Sequence, residues 1–294
     1  MTTPVFRYVV ITPARDEAAH IEHTIASMVA QTLLPVEWVI VDDGSTDGTA
    51  AILDAAAAAH PWMHVCHRSD RGRRLPGLGV MQAVGEGLRC LSTTDWAFLV
   101  KLDADLSFAP DYFASSLKHF ATEPRLGIAG GVVCHREGDT IVAEGRGDPP
   151  FHVRGATKIY RAACWMDIGG LFAQTGWDTI DEVKANMLGW HTRTFGELRL
   201  LQHRVTGGVE GPWRDAVKNG RANYITGYHP IFMLCKCFRR IFHRPRGGGD
   251  AAGLAWGFFS SYLHAVPRVP DMALIRYVRE QQWRRLSFRS SLWQ

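Results

Sequence analysis

The amino-acid sequence predicts an α/β protein: a mostly parallel, twisted sheet flanked by helices, followed by a helical, basic C-terminal extension. In the first half, apolar strand-like runs alternate with helical segments through short turns, an order typical of parallel strands joined by right-handed crossovers. Charge divides the chain as well. Residues 1–198 hold 17 Lys and Arg against 24 Asp and Glu, whereas residues 199–294 hold 16 against 5.

The strands of the first half are apolar runs that end at turn or acidic residues. Each helix between them carries its apolar residues on one stripe, as in the helix that contains Ile21, Ile25 and Met28. In chain order, the predicted strands are FRYVVITPA, VEWVIVD, MHVCHR and WAFLVKLDADL. The intervening helices are predicted in RDEAAHIEHTIASMVAQT, from about Asp47 onward, and in LGVMQAVGEGLRCL.

The pattern loosens after residue 125. A strand is predicted in LGIAGGVV and a helix in DTIDEVKANMLGW, and the glycine-rich stretch 245–253 is the clearest predicted flexible break. We expect a first domain over residues 1–205 and a basic, aromatic helical region over residues 206–294.

Polar residues follow three of the predicted strands. Pro13 ends the first, Asp42 and Asp43 the second, and Asp103 and Asp105 the fourth. Ligands of parallel sheets bind at the carboxyl ends of strands, so a site is expected at this edge. Residues i and i+2 of a strand share a face, and two carboxylates so close need a compensating cation. Mg²⁺ or Mn²⁺, which prefer carboxylate and phosphate oxygens, fit this requirement.

Four motifs together resemble one enzyme family. VITPARDEA, IVDDGSTDGT, KLDADLS and GWDTIDEVKANMLGW are similar to the family 2 glycosyltransferases with the GT-A fold, over roughly residues 5–200. The resemblance implies inverting, metal-dependent transfer of a sugar from a nucleotide-diphosphate donor to an acceptor hydroxyl. It further implies a saccharide or lipid-linked acceptor, as in the synthesis of polysaccharides such as exopolysaccharide, or of glycolipids.

The resemblance also assigns residues to the donor site. The acid at Asp43 would hold the base and ribose, Asp103 the ribose or the metal complex, and Asp105 would ligate Mg²⁺ or Mn²⁺ as part of the DXD motif. The residues expected to bind the nucleotide are Pro13, Arg15, Glu17, Asp43 and Asp103.

Two further segments carry expected contacts to the diphosphate or the acceptor. The segment HRSDRGRRLPGLG lies where family members pass near the nucleotide, and HRVTG where they place a mobile loop. A solvated loop and a structural histidine are the alternative interpretations. The residues concerned are Arg68, Arg73, Arg74, His203 and Arg204.

Inverting transfer needs one general base. In the family this is the aspartate of a Glu-Asp pair about eleven residues before a small-residue turn, and Asp178 stands eleven residues before Gly189. Trp177 occupies the position of the glutamate. Asp181 and Glu182 remain competing bases, and Asp178 could also cap the helix.

Two other functions stay open. The run AFLVKLDADLS is similar to the nucleophile motif of haloacid-dehalogenase-type phosphatases, in which Asp103 would be phosphorylated. A catalytically inactive, membrane-bound scaffold is the second alternative. No motif of a nucleic-acid-binding module is visible.

The location of the protein in the cell is predicted from its cysteines, its N-terminal segment and its basic C-terminal region. The six cysteines form no CxxC pair, which predicts reduced thiols and a cytoplasmic protein. No secretion signal and no run of about 18–20 apolar residues are apparent. The stretch TGYHPIFMLCKCFRRIFHRP predicts an interfacial helix on anionic lipid at the inner face of the cell membrane. A buried helix or an oligomer contact is the alternative.

Overall fold

The computed structural model describes residues 6–72, 77–145, 148–172, 176–204, 211–243 and 247–293. The strands within these residues are β1 (Tyr8–Ala14), β2 (Glu37–Asp42), β3 (Met63–His67), β4 (Phe98–Leu102), β5 (Leu106–Phe108), β6 (Leu126–Glu137), β7 (Thr140–Ala143), β8 (Thr157–Arg161) and β9 (His191–Gln202). The helices are α1 (Ile21–Val29), α2 (Thr49–Ala59), α3 (Leu78–Cys90), α4 (Tyr112–Thr122), α5 (Ala162–Ile168), α6 (Trp177–Met187), α7 (Pro212–Ile225), α8 (Pro230–His243), α9 (Gly247–Leu263) and α10 (Met272–Leu286).

The strands form one sheet in the order β3-β2-β1-β4-β8-β6-β9-β5, with β7 paired to β6. The first four strands in this order are parallel to one another. Strand β8 then runs antiparallel to β4, and β6 and β9 continue the sheet as a parallel pair. The predicted α/β class is confirmed, and the sheet is mixed beyond β4 because β8 enters in the opposite direction.

The core lies on both faces of the parallel strands. Strands β1, β2 and β4 are almost entirely buried, as their near-continuous apolar sequences require. The indole N–H of Trp38 donates to the hydroxyl of Thr12 at 2.9 Å, which satisfies both polar groups inside the core. On the α3 side, Gly87 lets the helix approach the sheet, since a Cβ there would meet Ile11 at 2.5 Å.

A second core joins the C-terminal helices to α6. It contains Ile180 and Val183 from α6 together with Phe232, Leu254 and other apolar residues of α7 to α10. The predicted flexible break is wrong for residues 247–253, because α9 begins at Gly247 and this segment is helical. None of the helices in the described parts of the chain has the length and apolar character that a membrane span needs.

The prediction that every cysteine is a thiol is wrong for one pair. Cys66 on β3 and Cys90 at the end of α3 form a disulfide across 24 residues of sequence. The pairing depends on α3 packing beside β3, which no cysteine spacing could reveal. Cys134, Cys164 and Cys237 are free and buried, and Cys235 is free and exposed.

Candidate active site

The three predicted strand ends meet at one edge of the sheet. Ala14 of β1 pairs with Asp42 of β2, and Pro13 pairs with Val41, while β4 runs parallel on the other side of β1. The backbone N–H of Asp43 donates to the carbonyl of Ala14 at 2.8 Å, which fixes the acid beside the first strand. The edge is therefore lined by the acidic residues that follow β2 and β4.

Asp43 is surrounded by guanidinium groups. Arg68 donates to its carboxylate at 2.6 Å, and Arg71 forms an ion pair with the other carboxylate oxygen. Arg15 donates to the backbone carbonyl of Asp43 and to the carboxylate of Asp70, each at 2.6 Å. Arg15, Arg68 and Asp43 were predicted from the sequence as site residues, and Arg71, which belongs to the same arginine-rich segment as Arg68, was not.

Glu17 and Arg204 meet although they are far apart in sequence. A guanidinium nitrogen of Arg204 lies 2.8 Å from the carboxylate of Glu17 and also donates to the carbonyl of Asp16 at 3.0 Å. The backbone N–H of Glu17 donates to the hydroxyl of Thr49 at 2.8 Å. The chain after β9 thus contacts the loop after β1.

Asp105 and His203 lie side by side because β5 pairs with β9. The N–H of His203 donates to the carbonyl of Asp105 at 2.9 Å, and the amide of Gln202 donates to its carboxylate at 3.1 Å. The His203 ring hydrogen-bonds to Ser107 at 2.7 Å and stacks on His23 at 4.0 Å. Burial lowers the pKa of His203, and nearby imidazoles lower it further.

The negative charge of Asp103 is compensated by a lysine of β4, the strand that it follows. The ammonium of Lys101, which is almost fully buried, forms an ion pair with Asp103 and also donates to the carbonyl of Gly155. Burial raises the pKa of Asp103 to about 6, although Lys101 lowers it. Lys101 was not predicted as a site residue, although a lysine inside an otherwise apolar strand indicates a buried charge that needs a partner.

Asp105 fits a hard divalent cation. It is buried, and among the described residues no lysine, arginine or histidine forms an ion pair with it. Within those residues the cluster of Glu86 with Cys66 and Cys90 is excluded because its cysteines form a disulfide, and the Asp103–Asp105 edge does not bring three metal-ligand side chains together. Mg²⁺ and Mn²⁺ accept such a set when phosphate and water complete it.

On α6 the three competing acids have different environments. Asp178 is partly buried in the first turn, and within the described part of the chain its carboxylate has no hydrogen bond or ion pair. Asp181 and Glu182 are buried, with carboxylate oxygens 2.9 Å and 2.6 Å from the ammonium of Lys158. Burial raises the pKa of Asp181 to about 6, although Lys158 lowers it.

Gly176, in the left-handed region with φ of 92°, occupies the N-cap position of α6. Asp178 follows it inside the helix, so the alternative role of Asp178 as the cap is wrong. Of the remaining predicted residues, Arg73 and Arg74 lie outside the described residues.

The mixed α/β sheet with its flanking helices is of the GT-A type, and comparison with known proteins gives the family. The model of glycosyl transferase family 2 matches residues 9–161, and the chain belongs to this family. Membership removes the phosphatase alternative, because β4 is the fourth strand of a glycosyltransferase sheet rather than the first strand of a phosphatase.

One relative of known name is the polyprenol monophosphomannose synthase of Mycolicibacterium smegmatis. It is 37% identical over 111 residues, which are 37% of this chain and 38% of the relative. The match therefore spans well under half of either protein.

Solved structures share the fold across nearly the whole chain. The mannosyltransferase PcManGT from Pyrobaculum calidifontis, in complex with GDP-Man and Mn²⁺, superposes with a TM-score of 0.57 and 19% identity, over 93% of this chain and 80% of that one. GalNAc-T7 with UDP, GalNAc and Mn²⁺ gives a TM-score of 0.62 and 13% identity, over 96% and 57%. TarS of S. aureus with UDP gives 0.54 and 15%, over 88% and 72%.

Proposed function

We propose that this protein transfers a hexose from a nucleotide-diphosphate donor to an acceptor hydroxyl with inversion at the anomeric carbon. The observation that carries the proposal is the contrast between two acids. Asp105 is buried without an ion pair in the described residues, as a metal ligand would be, and Asp178 is partly exposed with a carboxylate that forms no ion pair there, as a base would be. GDP-mannose is the first donor to test, because a mannosyltransferase complexed with GDP-Man shares the fold.

The donor would bind along the edge formed by β1, β2 and β4. Asp43, held by Arg68 and Arg71, would contact the base and ribose, and Pro13, Arg15 and Glu17 would line the same pocket. Asp103 would contact the ribose or the metal complex. His203 and Arg204 are placed beside Asp105 and Glu17, where they would contact the diphosphate or acceptor.

A divalent cation, Mg²⁺ or Mn²⁺, held by Asp105 and the donor phosphates would neutralise charge on the departing diphosphate. Asp178 would accept the proton of the acceptor hydroxyl as the new bond forms. Asp181 and Glu182 are poorly suited to this task, since both carboxylates are buried against Lys158. A phosphate acceptor, which the name of the Mycolicibacterium relative brings into consideration, is already ionised and would not need the base.

Residues 206–294 are proposed as the region that meets the inner face of an anionic membrane. Along α8 the apolar side chains Ile231, Leu234, Phe238 and Phe242 are 47–67% exposed and recur at helical spacing on one face. The same helix contains Lys236, Arg239 and Arg240. Such a helix is suited to lie in the interface, where each basic residue contributes about 1 kcal/mol at low salt.

The catalytic proposal is tested by release of GDP from GDP-mannose and of UDP from UDP-sugars, with Mn²⁺, Mg²⁺ or a chelator, and with saccharide, lipid-linked saccharide or polyprenyl phosphate acceptors. We expect turnover of one of these donors, and we expect it to require both the divalent metal and an acceptor that offers a hydroxyl. Turnover with polyprenyl phosphate as the only active acceptor would show that the acceptor group is a phosphate and not a hydroxyl. No turnover and no nucleotide protection against thermal unfolding would favour the inactive scaffold.

The membrane proposal is tested by sedimentation with phosphatidylglycerol vesicles at low salt. The wild-type protein should sediment with them, and a Phe238→Ser/Phe242→Ser variant should not. Ile141→Ser on β7, where the isoleucine is 52% exposed, is the matched control and should sediment normally. Wild-type protein that stays in the supernatant would contradict the proposal.

A further inference from the structure

Trp177, the residue directly before the proposed base, lies against two buried ammonium groups. The Nζ atom of Lys101 is 5.5 Å from the centre of its ring, and that of Lys158 is 5.3 Å away. The tryptophan itself is only 7% exposed. A buried indole at this distance from two cations can stabilise both through its electron-rich face.

The two lysines are neighbours in the sheet. Lys101 of β4 is the register partner of Lys158 of β8 in the antiparallel pair. Like charges directly opposite each other are unfavourable, and burial adds to the cost. Each lysine is compensated by different acids: Lys101 by Asp103, and Lys158 by the carboxylates of α6. The ring of Trp177 is the group that both share.

Trp177, Lys101 and Lys158 also contact the backbone of the candidate site, on the donor side and at the start of α6. Lys101 donates to the carbonyl of Gly155, and a Cβ at Gly155 would come within 3.0 Å of the Trp177 ring. Lys158 donates to the backbone carbonyl of Asp178 at 2.5 Å. The indole therefore lies between the lysine that pairs with donor-side Asp103 and the lysine that binds the backbone of Asp178.

We propose that Trp177 is a positioning residue, whose ring fixes the start of α6 through Lys101 and Lys158 and so sets the Asp178 carboxylate relative to Asp103. The inference rests on the proposed role of Asp178 as base.

The test compares Trp177→Phe, which keeps an aromatic face, with Trp177→Leu, which keeps apolar bulk alone. Turnover is followed as GDP release from saturating GDP-mannose with Mn²⁺, beside the affinity for GDP and Mn²⁺ and the thermal midpoint. We expect Trp177→Leu to lower kcat by about 10–100-fold with GDP affinity changed by less than about 3-fold. Trp177→Phe should stay within about 3-fold of wild type.

The matched control is Trp165→Leu, which removes an equally buried tryptophan of the same apolar cluster; its ring has no lysine contact of this kind with any described residue. It should lower the thermal midpoint without lowering kcat. Equal losses of kcat in Trp165→Leu and Trp177→Leu, equal losses in the Phe and Leu variants, or wild-type kcat in Trp177→Leu would each overturn the proposal.

Gly155→Ala provides a second variant should Trp177→Leu not fold, since the added methyl would lie 3.0 Å from the ring, close enough to press on it without removing it, and 3.5 Å from the Cβ of Asp178. A fall in kcat with unchanged GDP affinity supports the proposal, and an unchanged kcat contradicts it. Asp178→Asn is assayed in parallel. If that variant keeps its activity while Trp177→Leu loses it, the base assignment has failed and the tryptophan positions another group.

Discussion

Lys158 and Asp181 form a fully buried ion pair, in which the ammonium lies 2.9 Å and 3.0 Å from the two carboxylate oxygens. The hydroxyl of Tyr160 donates to the same carboxylate at 2.5 Å. Burial lowers the pKa of Lys158, but Asp181 and Glu182 together raise it above its ordinary value. The pair ties α6 to β8, and both Asp181 and Glu182, the second acid bound to Lys158, stand close in sequence to the proposed base.

The first prediction concerns the stability of this pair. Lys158→Met leaves two buried carboxylates without their cation and should lower the free energy of unfolding by about 3–5 kcal/mol. Lys184 lies on α6, the helix that carries the two carboxylates. Lys184→Met removes a partly exposed lysine 4.0 Å from Asp271 and should lower the free energy of unfolding by less than about 1 kcal/mol. Urea unfolding followed by circular dichroism measures both. Equal effects in the two variants would contradict a structural role for Lys158.

The acids at the strand ends of the candidate site were predicted from the sequence, and its two buried lysines were not. Asp43, Asp103 and Asp105 were found because each follows an apolar strand, and parallel strand ends must meet at one edge. Lys101 and Lys158 could not be found in this way. Their proximity depends on the antiparallel register of β4 and β8, and β8, with its charged sequence TKIYR, gives no clear strand signal.

The same reason explains why three acids on α6 could not be distinguished by sequence. Asp178, Asp181 and Glu182 lie within one and a half helical turns, and spacing alone gives each a similar claim. Only the position of Lys158, brought in by a strand 20 residues earlier, separates the paired acids from the unpaired one.

The second prediction is a pH dependence of stability. Burial alone would lower the pKa of His152, but Glu182, 2.9 Å away, raises it above the ordinary 6.5. A histidine whose pKa is higher in the folded protein stabilises it fully below the unfolded pKa, and this contribution is lost as the pH rises through the folded value. His152→Gln should therefore lower the thermal midpoint more at pH 6 than at pH 9.

The exposed His264 provides the control for the loss of an imidazole. Thermal melts of wild type, His152→Gln and His264→Gln across this pH range measure the difference. A penalty for His152→Gln that is the same at both pH values, or larger at pH 9, would show that the ion pair with Glu182 contributes nothing.

The third prediction concerns the metal. Asp105→Asn keeps the size of the side chain and its contact with Gln202 but removes the charge that a hard cation requires. Metal-dependent affinity for GDP or UDP should be lost, with the thermal midpoint of the free protein little changed. Calorimetric titration with and without Mn²⁺ measures this. Unchanged nucleotide affinity in the variant with Mn²⁺ present would contradict the role of Asp105 as a metal ligand.

The last prediction concerns the base. Direct displacement at an anomeric carbon needs an acceptor hydroxyl that loses its proton as the bond forms, and a single carboxylate on the acceptor side suffices. Asp178→Asn preserves size and most hydrogen bonding but removes the basicity. Turnover with a hydroxyl acceptor should therefore fall by roughly 10²–10⁴-fold, with donor affinity little changed.

Two comparisons make this prediction specific. Asp181→Asn and Glu182→Gln should act mainly through stability, because both acids are held by Lys158, so their activity per folded molecule should exceed that of Asp178→Asn. If either control loses turnover while Asp178→Asn keeps it, the base is that residue. If all three keep their turnover with polyprenyl phosphate, the acceptor oxygen is already ionised, and the chain needs no general base for that substrate.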